Sequence, residues 1–518
     1  MNSLQKATPL RVPPPSCDGQ TVRRLLSTVN REFLLNVAFL LLINLLVKPA
    51  FIFGVDLAVQ NRTGPDYGLY FALFNLTYIF QIVNDFGLQG FNNRHISRHP
   101  QLLPKYFPNL LAIKILLSGL YLGLSLLVAL SWGYGERALG LLLILLINQV
   151  LVQLVLFLRS NISGLGHYRV DSLLSSLDKL LMLITCGALL WANPLGIPVS
   201  VETFALAQTL ALLPTALIAF AVLRSKAPRF SVRPTWADNW RRGFPTLLVL
   251  FRKSLPYALV VFLMYAYTRL DGVLLERMAG PAHAEVFAGA YRLLDACNML
   301  GYLFASLLLP MFARLEMQGQ SARPLLSLSA KLIWAGSVTL AAAIFFARED
   351  LVHLMLPQRA SAYRWDTLGM LIWAFVPVCT IHVFSTLLTA HERLSAMNRF
   401  FVIGIALDLA LNLLLIPHWQ AFGAAVAAVA TQTFVAVSLV GLCVRSFGLR
   451  PSRAGMLRVL GFVATVVVVD WLVFTQTEWA WWGKFGGALA VGGVSALVFN
   501  LLDWRAALRT MNVGNDER

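Results

Sequence analysis

The sequence predicts an all-α, polytopic integral membrane protein of about fourteen transmembrane helices, each needing about 20 apolar residues. Three observations predict it. Of 518 residues, 58% are hydrophobic and only 13% charged, where a soluble chain carries about a quarter charged. The apolar residues gather into runs long enough to cross a hydrocarbon core about 30 Å thick. The basic residues fall between these runs, and heavily between alternate ones, as the positive-inside rule requires.

Spans are expected near 33–56, 68–91, 109–131, 138–158, 172–192 and 202–223. After a polar gap they resume near 255–277, 286–310, 327–347, 367–390, 399–416, 423–444, 457–475 and 485–503. With the N-terminus inside, Arg94, Arg98, Arg159, Arg169, Arg445, Arg450 and Arg453 all face the cytoplasm. Adding or removing one helix would invert half of this bias. Both termini are therefore expected in the cytoplasm. The net charge of +17 belongs to these loops and forms no contiguous basic face, so nucleic acid is excluded as a partner.

Six units are expected. Residues 1–32 form a polar, basic cytoplasmic segment, too polar for a signal peptide. A six-helix bundle at 33–223 precedes a linker at 224–254. A second six-helix bundle at 255–444 is followed by two additional helices within 445–503 and a tail at 504–518. In the linker Trp236, Trp240, Phe244, Leu247 and Phe251 recur every three or four residues among arginines. That spacing predicts an amphipathic helix on the inner membrane surface. The halves are weakly repeated. Val55-Asp56-Leu57 with Gly64 parallels Leu270-Asp271-Gly272 with Gly280, and Leu177-Asp178 parallels Leu407-Asp408. Such repeats mark transporters whose site lies between the halves.

Ionisable groups inside spans are costly and mark cavities or pairs. At 1.5 Å per residue, Lys48 and Arg269 lie roughly 21–22 Å from the inner ends of their helices, and Arg292 roughly 10 Å below the outer surface. Three cations at one level point to an anion site of Arg269, Arg292 and Lys48. Asp56, Asp85, Asp271, Asp295, Asp178 and Asp408 are the candidates for a coupling ion or for the cavity wall. Asp178 and Asp408 also fit simple helix packing, and Arg292 and Asp295, three residues apart, can neutralise each other. Lys114 and Lys179, near the cytoplasmic ends of their helices, are expected to snorkel outwards. Polar stripes at Gln81, Asp85, Gln89 and Asn92, and at Tyr291, Asp295, Asn298, Tyr302 and Ser306, are expected to face water or protein.

Catalytic constellations are missing. The sequence has no GxxxxGK[ST] or HExxH motif, and its five cysteines are spaced for neither disulfides nor metal. No cofactor, metal or enzymatic activity is expected. The expected outer loops are short, the longest being 348–366, which leaves no room for an outer catalytic domain.

Asn412 to Ile416-Pro417, then Gly423-Ala424-Ala425 and Thr431, resembles the N-x-x-L-I-P…G-x-x-G-A-A-x-A-T pattern of bacterial polysaccharide and O-antigen flippases. These belong to the multidrug/oligosaccharidyl-lipid/polysaccharide exporter superfamily. Gly64 with Tyr67-Gly68-Leu69-Tyr70, then Asp85-Phe86-Gly87-Leu88, is similar to that family's first hairpin. Ala421 stands where a glycine is frequent. Pro417 is expected to stop a helix at the outer surface. The resemblance implies two six-helix bundles in a V that rock between inward- and outward-open states. It implies a polyprenyl-diphosphate-linked oligosaccharide as cargo, in the biosynthesis of surface polysaccharide. The diphosphate would meet Arg269 and Arg292, supported by Lys48. Membrane lipids and other polysaccharide assembly proteins are the implied partners. The alternatives are a cation-coupled small-molecule exporter of the same superfamily and a membrane polysaccharide polymerase or glycosyltransferase.

Overall fold

A computed structural model describes residues 49–89, 103–193, 196–227, 262–448 and 453–501, with a few isolated positions between them. Lys48, the 1–32 segment, the amphipathic linker and the 504–518 tail lie outside the described residues.

The described residues are helical throughout, with no strand. Helix α1 is a π-helical stretch Ala50–Asp56 continued by Leu57–Thr63. Helix α2 is Pro65–Ile79 continued by Gln81–Asp85. Then come α3 (Leu103–Ser131), α4 (Glu136–Gly164), α5 (Tyr168–Gly187 with a π-turn Ala188–Ala192) and α6 (Val201–Lys226). The second series opens with α7 (262–279), α8 (Pro281–Met317) and α9 (Arg323–Phe346). A short helix, Arg348–Met355, lies in the longest expected outer loop. Helix α10 is Ala362–Ile372 continued by Phe375–Ala390. Residues Leu394–Phe447 run as 54 helical residues broken at Gln420, whose φ is +46°. Unbroken, they would reach about 80 Å, more than twice the hydrocarbon core. The break divides them into α11 and α12. Helices α13 (Arg453–Gln476) and α14 (Trp481–Val498) complete the chain.

Nine helices among the described residues are long and apolar enough to cross a membrane, Leu394–Phe447 counting as one. The protein is a multi-pass membrane protein.

Turn chemistry sets the ends. Gly64 and Gly280 take positive φ (61° and 91°), and the prolines after them open α2 and α8. The same device thus starts the second helix of each series. Ser200 caps α6 reciprocally with Thr203.

Three expectations change. The first span was expected to end at Asp56, but its helix continues to Thr63. Gln60, one turn past that expected end, is buried against Glu285. The stripe Gln81–Asn92 is not continuous, because Phe86 and Gly87 take positive φ and end α2 at Asp85. Helix α11 runs past Pro417 and breaks three residues later, at Gln420. The small residues after the break serve close packing: a Cβ on Gly423 would stand 2.5 Å from the Leu415 carbonyl oxygen.

The core divides unequally. Around the turns at Gly64, Gly133 and Gly280, the charge-poor end, one apolar cluster joins both series, with Val55, Tyr67, Tyr70 and Phe71 against Val273, Phe287 and Tyr291. At the opposite, basic end the clusters are separate. One holds Leu88, Phe107, Phe157 and Leu223, the other Leu263, Phe312, Phe384 and Met397. Among the described residues the two series are fused at one end and parted at the other. Helices α13 and α14 pack on α9 through Phe462, Val466 and Ala496.

Candidate functional site

Four of the in-span charges, Asp56, Arg269, Arg292 and Asp295, meet where α1 and α2 cross α7 and α8, just beneath the fused end. The crossing is close because two glycines allow it. A Cβ on Gly68 would stand 1.9 Å from the Pro281 carbonyl oxygen, and one on Gly272 would stand 2.4 Å from Asn75 Nδ2.

Three polar layers step down this crossing. Outermost, Gln60 Nε2 donates to Glu285 Oε1 at 2.8 Å and to its carbonyl oxygen at 2.9 Å. Arg364 also donates to both Glu285 carboxylate oxygens, one of them at 3.0 Å. The middle layer is an ion pair between Asp56 Oδ2 and Arg292 Nε at 2.6 Å, both side chains being under a tenth exposed. Tyr67 Oη donates to Asp56 Oδ1 at 2.8 Å and accepts from Arg292 Nε at 3.0 Å. The guanidinium also lies 5.6–5.9 Å from the rings of Tyr67, Phe71 and Phe74, within cation–π range. The innermost layer is Arg269, held between Tyr78 and Tyr291 at 5.2 and 5.1 Å. Its contacts with Asp295 are long, 3.3 and 3.4 Å, and it also reaches Asn75 Oδ1 at 3.4 Å. Its Nε has no acceptor among the described residues. A lateral clasp completes the seal: Tyr134 donates to Glu276 at 2.7 Å, and Arg277 lies over the Tyr134 ring and donates to the Trp132 carbonyl oxygen.

Two of the three expected cations come to one interface, in successive layers rather than at one level. Arg292 and Arg269 lie on adjacent helices at the interface, while Lys48 is outside the described residues. Neither arginine is bare. Arg292 is committed to Asp56 rather than to its helix neighbour Asp295, and Asp295 belongs to Arg269. The difference between them is geometric: the Asp56–Arg292 pair is short and buried, whereas the Arg269–Asp295 pair is long and partly exposed.

The remaining acids divide. Asp85 takes Lys114 at 2.8 Å. Lys114 is buried, so it neutralises a helix neighbour instead of snorkelling. Asp178 pairs with Lys179 at 3.4 Å, and Lys179 also lies over the Phe51 ring. Asp271, Asp408, Asn412 and Thr431 form a separate cluster on α7, α11 and α12, each at most 2% exposed. Asn412 Nδ2 donates to Asp271 Oδ1 at 2.7 Å and to the Asp408 carbonyl oxygen at 2.9 Å. Both carboxylate oxygens of Asp408, Asn412 Oδ1 and Thr431 Oγ1 are buried without a hydrogen-bond partner among the described residues. Buried acceptors left open are rare. An all-oxygen set of this kind fits a hard cation or a shared proton. Asp470 on α13 is also buried without a partner.

Sequence reasoning did not single out Gln60, Tyr67, Asn75, Tyr134, Glu276, Glu285 or Arg364 as site residues. Two could have been found by helical spacing: Gln60 is one turn beyond Asp56, and Glu285 two turns before Arg292, each on the same face.

A family profile described as "Polysaccharide biosynthesis protein" matches residues 33–316. No curated protein matches the sequence. The fold is similar to that of the lipid II flippase MurJ in an inward closed conformation. The TM-score is 0.65 at 14% identity, over 92% of this chain and 99% of that one. It is similar as well to an inward-facing multidrug resistance MATE family transporter of the MOP superfamily. There the TM-score is 0.60 at 15% identity, over 76% and 94% of the two chains. A MOP superfamily transporter from Pyrococcus furiosus Vc1 aligns with a TM-score of 0.53 at 13% identity, over 80% and 95%. At these identities the likeness is one of fold: the polytopic helical architecture of MurJ and MATE proteins. With the profile spanning more than half of its residues, the chain belongs to the polysaccharide biosynthesis protein family.

Proposed function

We propose that the protein is a flippase. It moves a polyprenyl-diphosphate-linked oligosaccharide across the bacterial inner membrane by alternating access, for surface polysaccharide synthesis. The observation that carries this reading is the unequal core, one body at the charge-poor end and two at the basic end. It lies in a chain of a polysaccharide biosynthesis family whose fold resembles that of a lipid II flippase. In the orientation that the basic loops favour, the fused end is extracytoplasmic, both termini are cytoplasmic, and the protein faces inward. The moving units would be the halves 33–223 and 255–444.

Arg269 is the first diphosphate ligand in this reading. A phosphate oxygen offers a charge-assisted bond shorter and stronger than the 3.3 Å contact to Asp295, so cargo displaces Asp295, whose partly exposed carboxylate is left to water. Arg292 becomes available only when the halves separate at the fused end and Asp56 withdraws. Lys48 is the third cation of the site. The glycan occupies the parted side while the polyprenyl tail stays in lipid. Asp271 and Asp408 supply a coupling site for a monovalent cation or proton, with Asn412 and Thr431. Asp85, Asp178 and their lysines serve the walls, and other assembly proteins act upstream and downstream.

The test is transfer of a fluorescent polyprenyl-diphosphate oligosaccharide between the leaflets of proteoliposomes. Wild type transfers it, and Arg269→Ala slows transfer by about 100-fold, the loss of one charge-assisted contact of about 3 kcal/mol. Transfer of organic cations in place of the lipid would favour the exporter reading, which the MATE-like fold and the Asp271–Asp408 cluster support.

A further inference from the structure

A pocket of about 650 Å³ opens at the charge-poor ends of α9, α10 and α12, away from the polar layers. Phe345, Met370, Trp373 and Phe422 make its walls, and Arg348 and Asp366 stand at its rim. Asp366, Met370 and Trp373 are spaced four and three apart on α10, so they share one face. That face descends about 10 Å from the rim. The pocket thus joins a charged rim at the membrane surface to an apolar slot within one leaflet.

The rim is built. Arg348 lies over the Phe345 ring at 4.7 Å, and its NH1 donates to the Phe345 carbonyl oxygen at 2.8 Å. Its stem crosses α10 at Gly369, where a Cβ would stand 2.6 Å from Arg348 Cδ. Its Nε is 3.7 Å from Asp366 Oδ1, too far for a hydrogen bond. Asp366 is 54% exposed and Arg348 31%. A cation held by its stem and a half-exposed carboxylate therefore form a loose ion pair with no hydrogen bond between them.

We propose that this pocket binds a zwitterionic aminophospholipid of the adjacent leaflet, its phosphate on Arg348, its ammonium on Asp366 and an acyl chain against Met370 and Trp373. The charges are what select the occupant. A purely anionic headgroup gains Arg348 but meets Asp366. A quaternary ammonium lipid presents the right charges but has no N–H to donate to the carboxylate. A primary ammonium satisfies both ends of the rim. The site stands apart from the transport reading and does not depend on it.

The experiment uses the full chain in detergent, titrated separately with phosphatidylethanolamine, phosphatidylglycerol and phosphatidylcholine, with bound lipid counted by native mass spectrometry. Phosphatidylethanolamine is expected to bind about 10-fold more tightly than either of the others, the worth of one contact to a half-exposed, solvent-screened carboxylate. Asp366→Asn, a surface change that leaves packing intact, is expected to abolish its advantage over phosphatidylglycerol. Arg348→Ala is expected to weaken all three lipids. Gly369→Ala, which displaces the arginine without altering charge, is expected to match it. Equal binding of the three lipids by wild type, or an ethanolamine preference that survives Asp366→Asn, would each overturn the proposal.

Discussion

Replacing Asp56 with alanine strands Arg292 in the middle of the membrane-buried crossing, and the consequence can be sized. The pair is 2.6 Å apart between nitrogen and oxygen, and both side chains are under a tenth exposed. With charge centres about 4 Å apart and an effective dielectric constant near 20, their attraction is about 4 kcal/mol. Losing one partner of a buried pair costs about 3–5 kcal/mol. Asp56 and Arg292 sit on different series, so the pair exists only while the charge-poor end is closed. The cost is therefore paid by that conformation. A bias of about 3 kcal/mol shifts the closed-to-open ratio by about 150-fold. Spin labels placed at Glu136 and Ser361, exposed positions at that end on opposite series, report it by pulsed dipolar distance measurement. Wild type should give one short distance. Asp56→Ala should move most of the population to a longer one, and Asp56→Asn combined with Arg292→Gln should shift it less than either single change. A folded Asp56→Ala variant with the wild-type distance distribution would refute the reasoning, because the pair would then not hold the end shut.

Other consequences follow from the same geometry. Gly68→Ala places a methyl group 1.9 Å from the Pro281 carbonyl oxygen; it should prop the crossing open and lower lipid transfer at least about 10-fold, with expression unchanged. Asp408→Asn should remove any dependence of transfer on a sodium or proton gradient, read by imposing each gradient on proteoliposomes in turn. Gly423→Val should lower thermal stability by about 1–3 kcal/mol through overpacking against Leu415, measured as a fall in melting temperature in detergent.

The fold was legible because lipid imposes a simple rule. Apolar runs of fixed length must be helices, and the basic loops order them. The rule fails where protein replaces lipid around a helix. Gln60 is hidden between α1 and α8, so a polar residue that reads as the end of a span is the middle of a contact. The site was half legible for a related reason. Depth along a helix can be counted from sequence, and it brought Arg269 and Arg292 to one interface. The partner of a charge depends on rotation and crossing angle, which counting does not supply. Asp295 was near enough in sequence to Arg292 to suggest a pair, yet it faces Arg269. Asp408 fitted simple packing or an ion site, and its carboxylate lies buried with no donor among the described residues.

The crossing at Gly68 and Gly272 also bears on leakage. A carrier that admits a bulky headgroup risks dissipating the voltage across the membrane it serves. From Gly64 to Asn75 the close contact extends over about 16 Å, roughly half the hydrocarbon thickness. Aromatic rings and paired charges fill it, leaving little for a proton wire to follow. In the proposed cycle a route entering from the parted side would end against this close contact. A headgroup drawn in from that side would pause there, already half across, while the bilayer remains electrically tight.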